Sequence, residues 1–117
     1  DSHTGFAYSY RTLEEIKGCE LLPFEAASEV GQHAIMVSHI SMPNVTGDDT
    51  PATLSEQIVG LIPDADHTLI ITDSLSREAI TDTYSSGEAA VKAFQAGCDV
   101  LLMPYDFVEA YDAVLAN

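Results

Sequence analysis

Three apolar runs, Ala34 to Ser38 (AIMVS), Thr68 to Thr72 (TLIIT) and Val100 to Met103 (VLLM), interrupt a chain otherwise patterned for helices. Continuous runs of this kind are expected of strands covered on both faces in a parallel sheet. Thr12-Leu13-Glu14-Glu15 has capping-box spacing, and Leu13, Ile16, Phe24 and Ala27 recur at roughly helical intervals, which predicts one helix through Ala27. Thr53 and Ser55 open a shorter helix that Pro63 stops. Ser85 with Glu88 forms another capping box ahead of Ala89, Val91, Ala93 and Phe94, and Gly97 offers a C-terminal stop. Asp106 with Glu109 begins a last helix that runs to the end of the chain. The order loop, α, β, α, β, α, β, α predicts a parallel α/β chain forming a single domain over residues 1–117. Ser41 to Thr53 (SMPNVTGDDTPAT) reads as its main loop, with a chance glycosylation sequon at Asn44.

Charge narrows the function classes. Nineteen acidic residues against four Lys and Arg give a formal charge of -15, which repels phosphate backbones and anionic bilayers. No nucleic acid and no membrane insertion are therefore expected; no run approaches the ~18 apolar residues of a spanning helix. Cys19 and Cys98 are too few for a disulfide framework or a four-cysteine zinc site and are expected to be free thiols in packed positions. No signal peptide is recognisable, and the opening Asp1-Ser2-His3 without an initiator Met is what an excised piece would show. Localisation is left open by this reading.

Ligands of parallel α/β folds gather at the carboxyl ends of the strands, so the residues ending each run are the candidates for chemistry. The first run ends in His39, the second in Thr72-Asp73 and the third in Pro104-Tyr105-Asp106. Asp73, directly after Ile-Ile, is placed for a nucleophile, a metal ligand or an acceptor, or else for a helix N-cap. His39 is either a satisfied structural histidine or a site residue. His33 and His67 precede strands and belong at the opposite end, in solvent. Asp1 and His3 project to the same side of an extended backbone, where the carboxylate can fix the imidazole tautomer.

The blocks DSHTGF, LLPFEAA, AIMVSHIS, TPATLS, LIITDSL and GEAAVKAFQAGCDVLLMP together resemble glycoside hydrolase family 3, in its β-N-acetylglucosaminidase branch. The resemblance covers nearly the whole chain in the correct order. It implies a partial (β/α)8 TIM barrel: the loop after the fifth strand, then the sixth, seventh and eighth βα units. It further implies a fragment of a retaining glycosidase removing terminal β-linked N-acetylglucosamine or a related β-glycoside through a covalent glycosyl-aspartate intermediate, with substrates that include peptidoglycan-derived sugars. Asp73 falls on the family's nucleophile, His3 on the general acid/base, and Asp1 on the residue orienting it. His39 falls on a strand-end histidine beside the substrate pocket. No metal or other cofactor is implied.

Two departures stand out. Arg77 occupies the position of a family Met four residues after the nucleophile, and the segment Gly60 to His67 lacks the usual longer helix. A closed barrel takes roughly 250 residues, so the isolated chain is expected to be inactive and to associate with a missing N-terminal half or with itself. The exposed inner strand faces would include Met36, Ile70 and Leu102 or their neighbours. The alternative is a flavodoxin-like receiver or binding module with Asp73 as phospho-acceptor. That reading needs an acidic pair and a Lys at strand ends, whereas Asp48-Asp49 lies in a loop and Lys92 in a helix.

Overall fold

A computed structural model describes residues 3–117. Its strands are β1 (Ala7–Tyr8), β2 (Ala34–Val37), β3 (Ile40–Ser41) and β4 (Leu69–Thr72). Its helices are α1 (Leu13–Gly18), α2 (Leu22–Glu29), α3 (Pro43–Thr46), α4 (Glu56–Val59), α5 (Glu78–Thr81), α6 (Ser86–Ala96) and α7 (Phe107–Leu115), with 3-10 turns at Ala52–Leu54 and Ala65–His67. Among the described residues no helix is long and apolar enough to cross a membrane.

Local chemistry sets most helix ends. Thr12 and Ser85 each close a capping box, with Glu15 and Glu88 respectively. Asp106 Oδ1 accepts from the Glu109 N–H at 3.0 Å to start α7. Gly97 ends α6 at φ 117, a conformation a side chain would strain, and an added Cβ there would also press on Val59 Cγ1 at 3.2 Å. The helix expected to continue through Ala27 instead breaks between α1 and α2. Pro23 is the reason: it lacks an N–H and its ring would clash with the Cys19 carbonyl, so α2 restarts with Pro in its first turn. The helix opened by Ser55, whose hydroxyl accepts from Ile58 N–H, ends at Val59, before Pro63 is reached. The expected main loop holds one helical turn, α3, whose Pro43 supplies a ready-made φ and whose Gly47 closes it at φ 80.

All strand pairing between named strands is parallel. β2 lies beside β4, from Ala34↔Leu69 to Val37↔Thr72, and β1 lies beside β3, Ala7↔Ile40 and Tyr8↔Ser41. The run at 100–103 does not form the full strand its sequence suggests. Val100 alone bridges Ile71. Two side chains take the remaining ladder positions: Asp99 Oδ2 accepts from Ile70 N–H at 2.8 Å, and Thr72 Oγ1 accepts from Leu102 N–H at 2.9 Å. Met103 then leaves the strand direction at φ 48.

Side chains alternate across a strand. Ile35, Val37, Ile70 and Thr72 are buried, and Val37 and Ile70 meet Leu54, Val59, Leu75, Ile80, Ala89 and Ala93 in the core. On the opposite face Met36 and Leu69 remain 56% and 45% exposed. The expectation of cover on both faces therefore fails for the described residues, and Ile70, expected on the bare face, lies on the helix side instead. Between α6 and α7 the approach is close: Gly87 N–H donates to Glu109 Oε1 at 2.9 Å, and an added Cβ at Gly87 would lie 3.1 Å from Ala113 Cβ.

Candidate active site

The period of two that sorts the core also sorts the candidate residues. Asp73 continues the parity of Leu69 and Ile71 toward the open face, whereas His39 shares the parity of Ile35 and Val37 and faces the helices. The burial pattern agrees: His39 is fully buried, and the Asp73 side chain is 18% exposed.

Asp73 stands immediately after β4, where its N–H donates to the Val37 carbonyl at 2.8 Å and so ties the loop to the end of β2. Its Oδ1 accepts from the Ser74 N–H at 2.8 Å, while Oδ2 lies 3.1 Å from Arg77 Nε. The next helix, α5, begins after Arg77 and has no side-chain cap, so Asp73 does not serve as its N-cap. The carboxylate is held, partly exposed, at a strand's carboxyl end.

His39 has both ring nitrogens engaged, Nδ1 with Thr53 Oγ1 at 2.7 Å and Nε2 with the Ser74 carbonyl at 2.7 Å. A carbonyl only accepts, so Nε2 carries the proton and Nδ1 accepts from the Thr53 hydroxyl. Burial pushes the pKa of this imidazole down, against opposing contributions from the Ser74 carbonyl and the Asp73 charge. The ring is thus a neutral post between the turn Ala52–Leu54 and the residue that follows Asp73. With both nitrogens bonded, it offers no polar ring atom to a sugar.

His3 lies in the turn that leads into β1, and β1 runs parallel beside Ile40–Ser41. That pair forms a two-stranded sheet of its own, separate from the β2–β4 sheet that carries Asp73. Asp1 lies outside the described residues. His33 and His67 are at the other end; His67 Nδ1 meets Asp64 Oδ1 at 2.8 Å, and that bond raises its pKa. Both cysteines are free thiols; Cys98 is buried as expected, with its pKa raised to about 11 chiefly by burial, whereas Cys19 is exposed rather than packed.

The cation that pairs with Asp73 among the described residues is Arg77. Lys92, which a receiver site would need there, instead has its ammonium 6.0 Å from the Tyr84 ring centroid, and Asp48 Oδ1 is occupied by the Thr50 N–H at 3.0 Å. No cluster of three His, Cys, Asp or Glu able to hold a metal occurs among the described residues. An open groove between Leu101, Met103, Phe107, Tyr111 and Leu115 is almost wholly apolar and does not include Asp73. Sequence reasoning missed Thr53 and Ser74, which hold His39 from 14 and 35 positions away; no local pattern announces bonds over such separations.

Residues 1–117 match the model of the glycosyl hydrolase family 3 N terminal domain. The β-hexosaminidase LpqI of Mycobacterium tuberculosis is 30% identical over 110 residues, covering 87% of this chain and 28% of the relative. A β-hexosaminidase of Neisseria meningitidis serogroup B is 33% identical over 106 residues, covering 88% of this chain and 29% of its own length. The chain thus spans under a third of the curated relatives it matches. Among solved structures, a family 3 β-N-acetylglucosaminidase from Paenibacillus sp. FPU-7 superposes with a TM-score of 0.90 at 34% identity, over 99% of this chain and 23% of that one. CbsA from Thermotoga neapolitana gives a TM-score of 0.84 at 27% identity, over 99% of this chain and 28% of that one.

Proposed function

Because the chain belongs to glycosyl hydrolase family 3, we propose that it carries the nucleophile and the acid/base dyad of a retaining β-N-acetylhexosaminidase. The observation that carries this reading is the carboxylate of Asp73, held by the Ser74 N–H at the carboxyl end of β4 on the uncovered side of the sheet. Asp73 attacks the anomeric carbon as the glycosidic bond breaks, and His3 gives its proton to the departing oxygen. His3 then takes a proton from water, which attacks the anomeric carbon and frees Asp73. Asp1 orients the imidazole, and the proton transfer by His3 is typically worth about 10²–10⁴-fold. His39, which the family resemblance sets beside the substrate pocket, acts in this reading by holding Ser74 and hence the backbone that aims Asp73.

The architecture in this reading is part of a (β/α)8 barrel, in which residues 1–117 supply the last three βα units of one catalytic domain. The bare face with Met36 and Leu69 supports it, since the inner layer of a barrel is packed by strands from around the ring. The remaining strands, or another copy of the chain, cover that face. The substrate is a β-N-acetylglucosaminide, peptidoglycan-derived sugars included.

The test is to label the full natural polypeptide carrying this sequence with a 5-fluoro glycosyl fluoride of N-acetylglucosamine and to map the adduct. Label on Asp73, lost in D73N with the fold retained, is expected; ordinary turnover by D73N would refute the assignment. In the same assay the 117-residue chain alone is expected to turn over no aryl β-N-acetylglucosaminide, and clear turnover by its monomer would overturn the partial-barrel reading.

A further inference from the structure

An arginine four residues beyond a nucleophile reaches back to it only if the intervening backbone turns. Here it does. Arg77 N–H donates to the Ser74 carbonyl at 3.3 Å, the oxygen that also accepts from His39 Nε2, and the Ser74 and Ser76 hydroxyls meet at 2.7 Å. The Arg77 side chain, 22% exposed, returns along Asp73 with Nε 3.1 Å from Oδ2. This contact is an ion pair rather than a directed hydrogen bond, because Nε and Nη1 are both buried without a hydrogen-bond partner. A guanidinium so placed depends for its stabilisation on the negative charge of Asp73, since buried donors left unsatisfied are costly.

We infer that Arg77 is a positioning residue that shortens the life of the glycosyl-Asp73 intermediate, an inference that rests on Asp73 being the nucleophile. In the first step an Asp73 oxygen forms a bond to the anomeric carbon, the bond to the leaving oxygen breaks, and that oxygen takes a proton from His3. The product ester is neutral. Arg77 is then left beside an uncharged oxygen with its buried N–H groups still lacking acceptors, so the intermediate is raised relative to free enzyme. In the second step water attacks the anomeric carbon, the ester bond breaks, and the electron pair returns to Asp73. The ion pair is restored, and its attraction develops in the transition state as the charge does. Arg77 therefore opposes formation of the ester and favours its hydrolysis. With both side chains about one-fifth exposed, solvent screens the pair only in part, and its effect on the second step is about fivefold.

The experiment uses the full natural polypeptide carrying this sequence, labelled with the 5-fluoro glycosyl fluoride of N-acetylglucosamine, and follows recovery of activity after excess reagent is removed. R77M and R77Q should each lengthen the life of the Asp73 adduct about fivefold, while R77K, which keeps the charge, should recover like the wild type. A role confined to holding the loop would lower the melting temperature in the same variants without lengthening that lifetime. Unchanged lifetimes in R77M and R77Q, or equal lengthening in R77K, would overturn the inference while leaving the nucleophile assigned. Absence of label on Asp73 in the wild type would overturn both.

Discussion

Thr53→Val tests whether the His39 post is held as the hydrogen bonds indicate. The two side chains have nearly the same shape, and Thr53 is fully buried, so the change swaps a hydroxyl for a methyl with little loss of packing. What it removes is the donor to His39 Nδ1 at 2.7 Å, leaving a buried imidazole nitrogen unpaired. Such an orphan costs about 1–3 kcal/mol, partly offset by no longer burying the hydroxyl, so the net loss is about 1–2 kcal/mol. In a domain of barrel size that corresponds to a fall in melting temperature of about 2–4 °C per kcal/mol. In the H39F background the sign reverses, because the Thr53 hydroxyl is then the orphan and valine relieves it. Urea unfolding of the full natural polypeptide, as wild type, both single variants and the double variant, measures this. A T53V effect of the same sign and size in both backgrounds would refute the argument.

H3A should impair substrates with poor leaving groups by about 10²–10⁴-fold and activated aryl glycosides far less, because an activated oxygen needs little protonation; equal losses on both would assign His3 a binding or structural part. Stability should fall with pH below about the ordinary histidine value of 6.5, since burial depresses the folded pKa of His39 and the unfolded ring takes up a proton first. The slope reaches at most about 1.4 kcal/mol per pH unit, and the chemical-denaturation profile of H39F should lose this contribution; an unchanged profile would count against a neutral buried ring.

What could be read from the sequence was local. The capping boxes at Thr12 and Ser85 and the cap at Asp106 span four residues each, and Gly97 needs no partner beyond its own helix, so the structure reproduces them. Pro23 was equally legible, but the recurrence of Leu13, Ile16, Phe24 and Ala27 argued for a continuous helix, and the ring's steric demand overrides periodicity. Asp73 could be singled out because a carboxylate after a buried run is conspicuous, and parity in the strand separates it from His39. The ties of His39 to Thr53 and Ser74, and the diversion of Leu102 N–H to Thr72 Oγ1, join distant parts of the chain. These depend on how the loops converge in space, and no short window of sequence holds that information.

The bare sheet face bearing Met36 and Leu69 also sets the colloidal character of the chain. Apolar contact between two such faces is opposed by the mutual repulsion of molecules that each carry a formal charge of -15. Salt weakens only one side of that contest: the screening length shrinks from about 10 Å at 0.1 M to about 3 Å at 1 M, while burial of apolar surface is not reduced. Light scattering of the chain should therefore rise with sodium chloride concentration, the reverse of what an association built on ion pairs would give.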